Sequence, residues 1–201
     1  MLSEEVKEKL KEKFKDLKES VELCLDLNNS KLSKDIKELV QEVASLSNKI
    51  TVKENCGVSD LKPCISFFKN GKDTGIRYCG LPSQGEFQTF VDTIDMVSRG
   101  KIDIDSRVVE LLSDLDQKVE FKTFITKTCG WCPPTLKKLY QFALTSDNIK
   151  VYGIDAYDFQ DLAMKYNVAA VPKTIINDKV EFVGLKDDNE ILGYIASVVG
   201  Y

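Results

Sequence analysis

The chain has 201 residues, a net charge of -4, six cysteines and no histidine. Without histidine there is no Ser-His-Asp triad, no Cys-His nucleophile pair, no HExxH zinc site and no imidazole general base. Signs are interleaved along a mildly acidic chain, so the clustered cationic face that binds a phosphate backbone is missing and no nucleic-acid partner is expected.

Apolar residues make up 43 % of the chain, enough for a packed core in one large domain or in two of about 100 residues. The first residues, MLSEEVKEKLKEKFKDLKES, carry no apolar signal core. No stretch approaches the roughly 20 apolar residues of a membrane span. A cytoplasmic protein without a membrane partner is therefore expected, and in that reducing compartment cysteines are more often catalytic, metal-binding or simply buried than bridged.

In chain order, the first predicted element is a helix over 4–17. Ser3 caps it, Val6, Leu10, Phe14 and Leu17 form one apolar face, and Glu5–Lys9, Glu8–Lys11 and Glu12–Lys15 pair on the other. An apolar strand follows at Val21–Leu25, then a helix through Ile36, Leu39, Val40 and Val43, then a strand at Ile50–Val52. The order then repeats. Val119 stands 98 positions after Val21 and opens a second strand, preceded by a helical stripe at Val108, Leu111, Leu112 and Leu115. Ile149–Val151 corresponds to Ile50–Val52, and both halves end on a capping-box pattern, Ser83 with Glu86 and Asp187 with Glu190, leading into a last helix.

Each half reads α, β, α, β, β, β, α, and the join falls at Ser98–Lys101. Two units are expected, 1–99 and 100–201, in an α/β fold with a mixed parallel and antiparallel sheet flanked by helices. The second unit has an extra helix over 157–168 before Pro172, where the first has only 54–62 before Pro63.

The chemically informative segment is Cys129-Gly130-Trp131-Cys132-Pro133, between the strand Val119–Ile125 and the helix Leu136–Ala143. A turn from strand to helix puts Thr128 and Cys129 at a helix start, where free amides and the positive dipole end favour a thiolate. Lys127 adds a weaker positive charge. Cys132, one helical turn on, can reach Cys129, so a mixed disulfide formed at Cys129 can be resolved by Cys132. Pro133 fits the first helical turn. A zinc site built on this CxxC remains an alternative, although no histidine and no second CxxC is available to complete it. Pro172 opens the strand Thr174–Ile176, either as an ordinary edge device or as a cis peptide. Cys24, Cys64 and Cys79 fall on neighbouring strands of the first half, and buried free thiols are expected there rather than a bridge.

Strand, CxxC, helix, strand, helix, Val-Pro, two strands and a helix resemble the thioredoxin/glutaredoxin pattern. Two such units, each with an added leading helix, resemble the protein disulfide oxidoreductases of archaea and some thermophilic bacteria. They are similar also to the N-terminal domain of the alkyl hydroperoxide reductase flavoprotein, whose pattern the stretch from Gly71 through Cys79-Gly80-Leu81-Pro82 to Phe87 follows closely. The resemblance implies a thiol–disulfide oxidoreductase with Cys129 as nucleophile and Cys132 as resolving thiol, and no cofactor beyond that redox-active pair. Gly130 and Trp131 would tune the potential beside Thr128 and Pro133. Pro172 would be a cis-proline facing the pair, and Val171 would offer its backbone to an incoming peptide. Disulfide-bearing proteins would be substrates and a flavin-dependent reductase of the thioredoxin-reductase type the electron donor. A dedicated relay to a peroxiredoxin, or an oxidase or isomerase role, is the alternative. The first half departs from the full pattern: its turn, placed near Ser30–Lys34 by the repeat, holds no cysteine, though Pro63 matches Pro172.

Overall fold

The computed structural model describes residues 2–200. In chain order it contains α1 (Glu4–Phe14), β1 (Val21–Asp26), α2 (Lys31–Ala44), β2 (Ile50–Glu54), β3 (Cys64–Lys69), β4 (Lys72–Cys79) and α3 (Gly85–Arg99). The second half contains α4 (Ser106–Ser113), β5 (Val119–Ile125), α5 (Cys132–Thr145), β6 (Ile149–Asp155), α6 (Gln160–Lys165), β7 (Lys173–Ile176), β8 (Val180–Val183) and α7 (Asp188–Val199).

Local chemistry sets most of these bounds. Ser3 Oγ accepts the Val6 N–H and caps α1, and the three expected Glu–Lys pairs form along its solvent face. The helix closes at Phe14, three residues before the expected end. Bonds of the i,i+3 kind from Asp16 and Leu17 tighten the chain into a turn that still buries Leu17. Asp187 and Glu190 form the expected capping box at α7. The other box does not form. The Glu86 N–H donates to the Ser83 carbonyl, Gln84 takes the N-cap at φ 53°, and the Glu86 side chain turns into the interior.

All eight strands join in one sheet, in the order β2-β1-β3-β4-β6-β5-β7-β8. Each half contributes the same pattern: a parallel pair (β1 with β2, β5 with β6) and two antiparallel pairs (β1–β3–β4, β5–β7–β8). The halves meet where β4 runs parallel to β6, with Ile76 opposite Val151 and Cys79 opposite Ile154.

Burial follows from that order. β4 becomes an interior strand and is fully buried from Ile76 to Cys79, whereas its counterpart β8 stays at the edge and alternates. Two glycines make the join possible. A Cβ at Gly75 (φ +75°) would lie 2.3 Å from the Ile149 carbonyl oxygen, and one at Gly153 would lie 2.5 Å from the Tyr140 hydroxyl. Tyr140, on α5, thereby lies over β6 and donates its hydroxyl to the Arg77 carbonyl on β4 at 2.9 Å. One continuous apolar core runs from Leu10 and Phe14 of α1 to Val198 and Val199 of α7. No described helix is long and apolar enough to cross a membrane.

Candidate active site

At the C-terminal end of β5 the chain turns through Thr126–Trp131 into α5. Cys129 sits before the helix, its N–H bonded to the Thr126 carbonyl at 3.2 Å, and Cys132 is the first helical residue. The helix therefore starts three residues later than Cys129, and its free amides are fewer than expected. The Cys132 N–H is spent on the Cys129 carbonyl at 3.4 Å, and Pro133 and Pro134 have none to give. What α5 offers Cys129 is its positive dipole end rather than a ring of donors. Pro133 is half-buried in that first turn, as expected.

Opposite the turn, the Val171–Pro172 peptide is cis, and the Cys129 thiol points at the Val171 carbonyl, Sγ to O 3.7 Å. Cys129 and Cys132 are both free thiols, Cys129 partly exposed and Cys132 fully buried. Burial pushes the Cys132 thiol well above its ordinary range, and the adjoining Cys129 and the charge of Glu86 push it further. Two thiols one turn apart, one reachable and one held protonated, can open a disulfide in sequence: attack from Cys129, resolution by Cys132. Around them Thr128 and Gly130 are exposed, and Trp131 is 66 % exposed.

The structure adds a residue whose role the sequence hid. Glu86, on the first turn of α3 in the other half, is fully buried and neither carboxyl oxygen has a hydrogen-bond partner. Burial raises its pKa to about 7; the nearby Thr89 hydroxyl opposes that without reaching bonding geometry, and Asp155 adds to it. The first turn of α3 abuts the CxxC loop directly, with the Gly85 N–H donating to the Lys127 carbonyl at 3.3 Å. A capping-box pattern masked Glu86 in the sequence. The misfit that betrays it is a β4–α3 turn carrying a positive φ at Gln84. Lys127 is not free beside Cys129 either. It pairs with Asp158 at 3.0 Å and Asp155 at 3.4 Å, and those partners hold its pKa up against burial.

The first half repeats this geometry without the sulfur. Lys62–Pro63 is cis as Val171–Pro172 is. The β1–α2 turn falls at Leu27–Ser30, upstream of the position expected from the repeat, because it has four residues where the β5–α5 turn has six. Counted back from the helix start, Asn28 matches Cys129, and its Nδ2 donates to the Lys62 carbonyl at 3.1 Å. The remaining cysteines are not free thiols. Cys24 of β1 bridges Cys56 in the loop before Pro63, and Cys64 bridges Cys79 directly across the β3–β4 ladder. Cys64 and Cys79 are the facing pair of the antiparallel β3–β4 ladder, and Cys56 follows β2, the strand paired with the β1 strand that carries Cys24. With those four engaged in pairs, no group of three or more metal-ligating residues exists among the described residues.

Fold and site together define a thioredoxin-like fold that carries one dithiol pair, and residues 119–196 match the thioredoxin domain family. More particularly, the chain is similar to an alkyl hydroperoxide reductase subunit of Pseudomonas aeruginosa: the two are 29 % identical over 97 % of this chain and 37 % of that one. The chain thus spans little more than a third of the length of that relative. The N-terminal domain of the Enterococcus faecalis alkyl hydroperoxide reductase shares the fold, with a TM-score of 0.86, 22 % identity and coverage of 98 % of this chain and 100 % of that one. A protein disulfide oxidoreductase from Aeropyrum pernix shares it equally, with a TM-score of 0.87, 24 % identity and coverage of 98 % and 94 %.

Proposed function

We propose that the chain exchanges a dithiol for a disulfide at Cys129 and Cys132, reducing disulfides in proteins. The observation that carries this reading is the partly exposed Cys129 thiol set against the cis Val171–Pro172 peptide, with a buried thiol one turn behind it. Cys129, as thiolate, attacks one sulfur of the substrate disulfide. A mixed disulfide forms and the other substrate sulfur leaves as a thiolate. Cys132 must then lose its proton before it can attack the Cys129 sulfur. Glu86 is the acceptor for that proton: a carboxyl poised near neutral pH, with no other partner, whose charge bears on Cys132. The attack closes the Cys129–Cys132 disulfide and expels the second substrate thiolate. Two electrons have moved from the pair to the substrate, and the substrate thiolates take up protons from water to replace the two that the pair released, one to solvent and one to Glu86. Val171 and Pro172 position the substrate chain, and Thr128, Gly130, Trp131 and Pro133 shape the rim.

A second reading is favoured by the similarity to a component of a hydroperoxide reductase. Here the same pair takes electrons from a flavin-dependent donor and passes them to one dedicated peroxiredoxin-type partner. Both readings need the same chemistry and differ in breadth of substrate. The test is reduction of insulin by the protein with dithiothreitol, run beside thioredoxin. General reductase activity speeds insulin precipitation. A dedicated relay leaves insulin intact while it still reduces a peroxiredoxin disulfide. If the Cys129–Cys132 pair never oxidises in glutathione buffers, both readings fall.

A further inference from the structure

The ends of β1, β3, β6, β5 and β7 that carry Asn28, Pro63, Tyr157, Thr126 and Val171 all lie on one side of the sheet. Two cavities open there. One, of about 550 Å³, is lined by Thr126, Val168, Ala169 and Val171 next to Cys129. The other, of about 750 Å³, is lined by Asn28, Leu32, Leu61 and Pro63 of the first half. Tyr157 and Gln160 line both, so the two cavities are neighbours across that one wall and together make a trough interrupted by it. The trough passes exposed apolar side chains, Tyr157 at 67 % and Met164 at 68 %.

The geometry points to this trough as an extended polypeptide site in which the first half binds the chain flanking the disulfide that Cys129 attacks. This rests on the dithiol reading above and deepens it. The occupant follows from adjacency: a disulfide bonded to Cys129 must send its flanking chain out of the active-site cavity, and the first-half cavity lies directly beyond the Tyr157–Gln160 wall of that cavity. Asn28 makes the far end a binding site rather than a second reactive one. Its amide already satisfies the Lys62 carbonyl and carries no nucleophile. The ends of β5 and β1 stand four interstrand steps apart, about 19 Å at a spacing of about 4.8 Å. That is the reach of about six extended residues.

The experiment uses disulfide-linked peptides with two, four, six or eight residues added on either side of one cysteine, with a small aromatic disulfide reporting the dithiol chemistry alone. We expect kcat/KM to rise about tenfold, the worth of roughly one buried apolar side chain, and to level off near six added residues on one side only. Leu32→Lys and Leu61→Lys, at the far end, should flatten that rise. A rate independent of length, or a rise that both variants leave in place, overturns the trough as a binding site while the dithiol reading stands. A wild-type protein that reduces neither the peptides nor the small disulfide overturns the dithiol reading itself.

Discussion

The β1–α2 and β5–α5 turns occupy the same place in their respective halves, and each faces a cis-proline. In one, a cysteine thiol approaches the carbonyl before the proline; in the other, an asparagine amide does. The fold therefore fixes where a nucleophile would stand, and the side chain decides whether one does. The Asn28 turn is also tied down more firmly. Asn28 Oδ1 accepts from the Ser33 hydroxyl at 2.7 Å and the Ser30 N–H at 3.0 Å, and Asp26 holds the neighbouring loop through the N–H groups of Gly57, Val58 and Ser59. The Cys129 turn carries two prolines instead, and the buried acid whose charge bears on Cys132, Glu86, comes from the other half. One half thus reads as a rigid scaffold and the other as its reactive face.

The largest break in that comparison is at the sulfur. Cys129→Ser should remove disulfide reduction entirely. Cys132→Ser should accumulate mixed disulfides, visible as mass adducts that dithiothreitol releases. Full dithiol turnover in the Cys132 variant would refute the division of roles.

Glu86 tests whether the halves depend on each other chemically. Its ordinary pKa of 4.5 is raised to about 7 by folding. The unfolded chain then ionises it from pH 4.5 upward while the folded protein keeps it neutral, so folding loses stability as pH climbs through that window. The loss is complete above about 7 and amounts to roughly 3 kcal/mol. Glu86→Gln should cancel that slope, making the protein more stable at about pH 8 and no different at about pH 4 in urea titrations. It should also slow resolution of the mixed disulfide about tenfold or more near neutral pH, without slowing the first attack. An unchanged stability profile would show that Glu86 is not held neutral.

The two disulfides of the scaffold half come next. Cys64–Cys79 closes a span of 15 residues, worth about 3 kcal/mol through the unfolded chain. Replacing Cys64 and Cys79 by alanine should lower the unfolding free energy from urea titrations by that order and leave Cys129 chemistry in place. A loss of turnover at intact fold would mean that the pair takes part in electron transfer.

These contrasts are unevenly legible in the sequence. The bounds of Val119–Ile125 agree with the structure to the residue, because polar residues at Glu120, Lys122 and Thr123 break its apolar positions at strand-like spacing, whereas Val21–Leu25 and Ile50–Val52 fall one and two residues short of the observed strands. The CxxC pair is close in sequence and is legible for that reason. Glu86 is not, since its Ser83-Gln84-Gly85-Glu86 setting is a good capping pattern and only the packing of α3 against the CxxC loop draws the side chain inward. The Cys64–Cys79 bridge depends on the register of the β3–β4 hairpin, and the Cys24–Cys56 bridge on how the loop after β2 returns to β1, neither of which spacing encodes. Asn28 is hidden by a small shift, because the two turns differ in length and the repeat loses register across them.

The smallest effect sharpens the comparison most directly. Asn28→Ala removes an amide that meets the Lys62 carbonyl, the Ser33 hydroxyl and the Ser30 N–H. At about 1 kcal/mol for each bond with a buried partner and less for exposed ones, a loss of about 1–2 kcal/mol is expected, with Cys129 activity on a small aromatic disulfide retained. The pair Asn28→Cys with Lys31→Cys goes further and restores CxxC spacing at the start of α2, since Lys31 opens that helix as Cys132 opens α5. Thiol counting after oxidation should show one additional reversible disulfide. Turnover from the new pair should stay well below that of Cys129 and Cys132, because Lys31 is solvent-exposed where Cys132 is buried, and Glu86 lies at the other site. Turnover equal to that of the natural pair would show that position alone, and not the buried acid, makes the second half reactive.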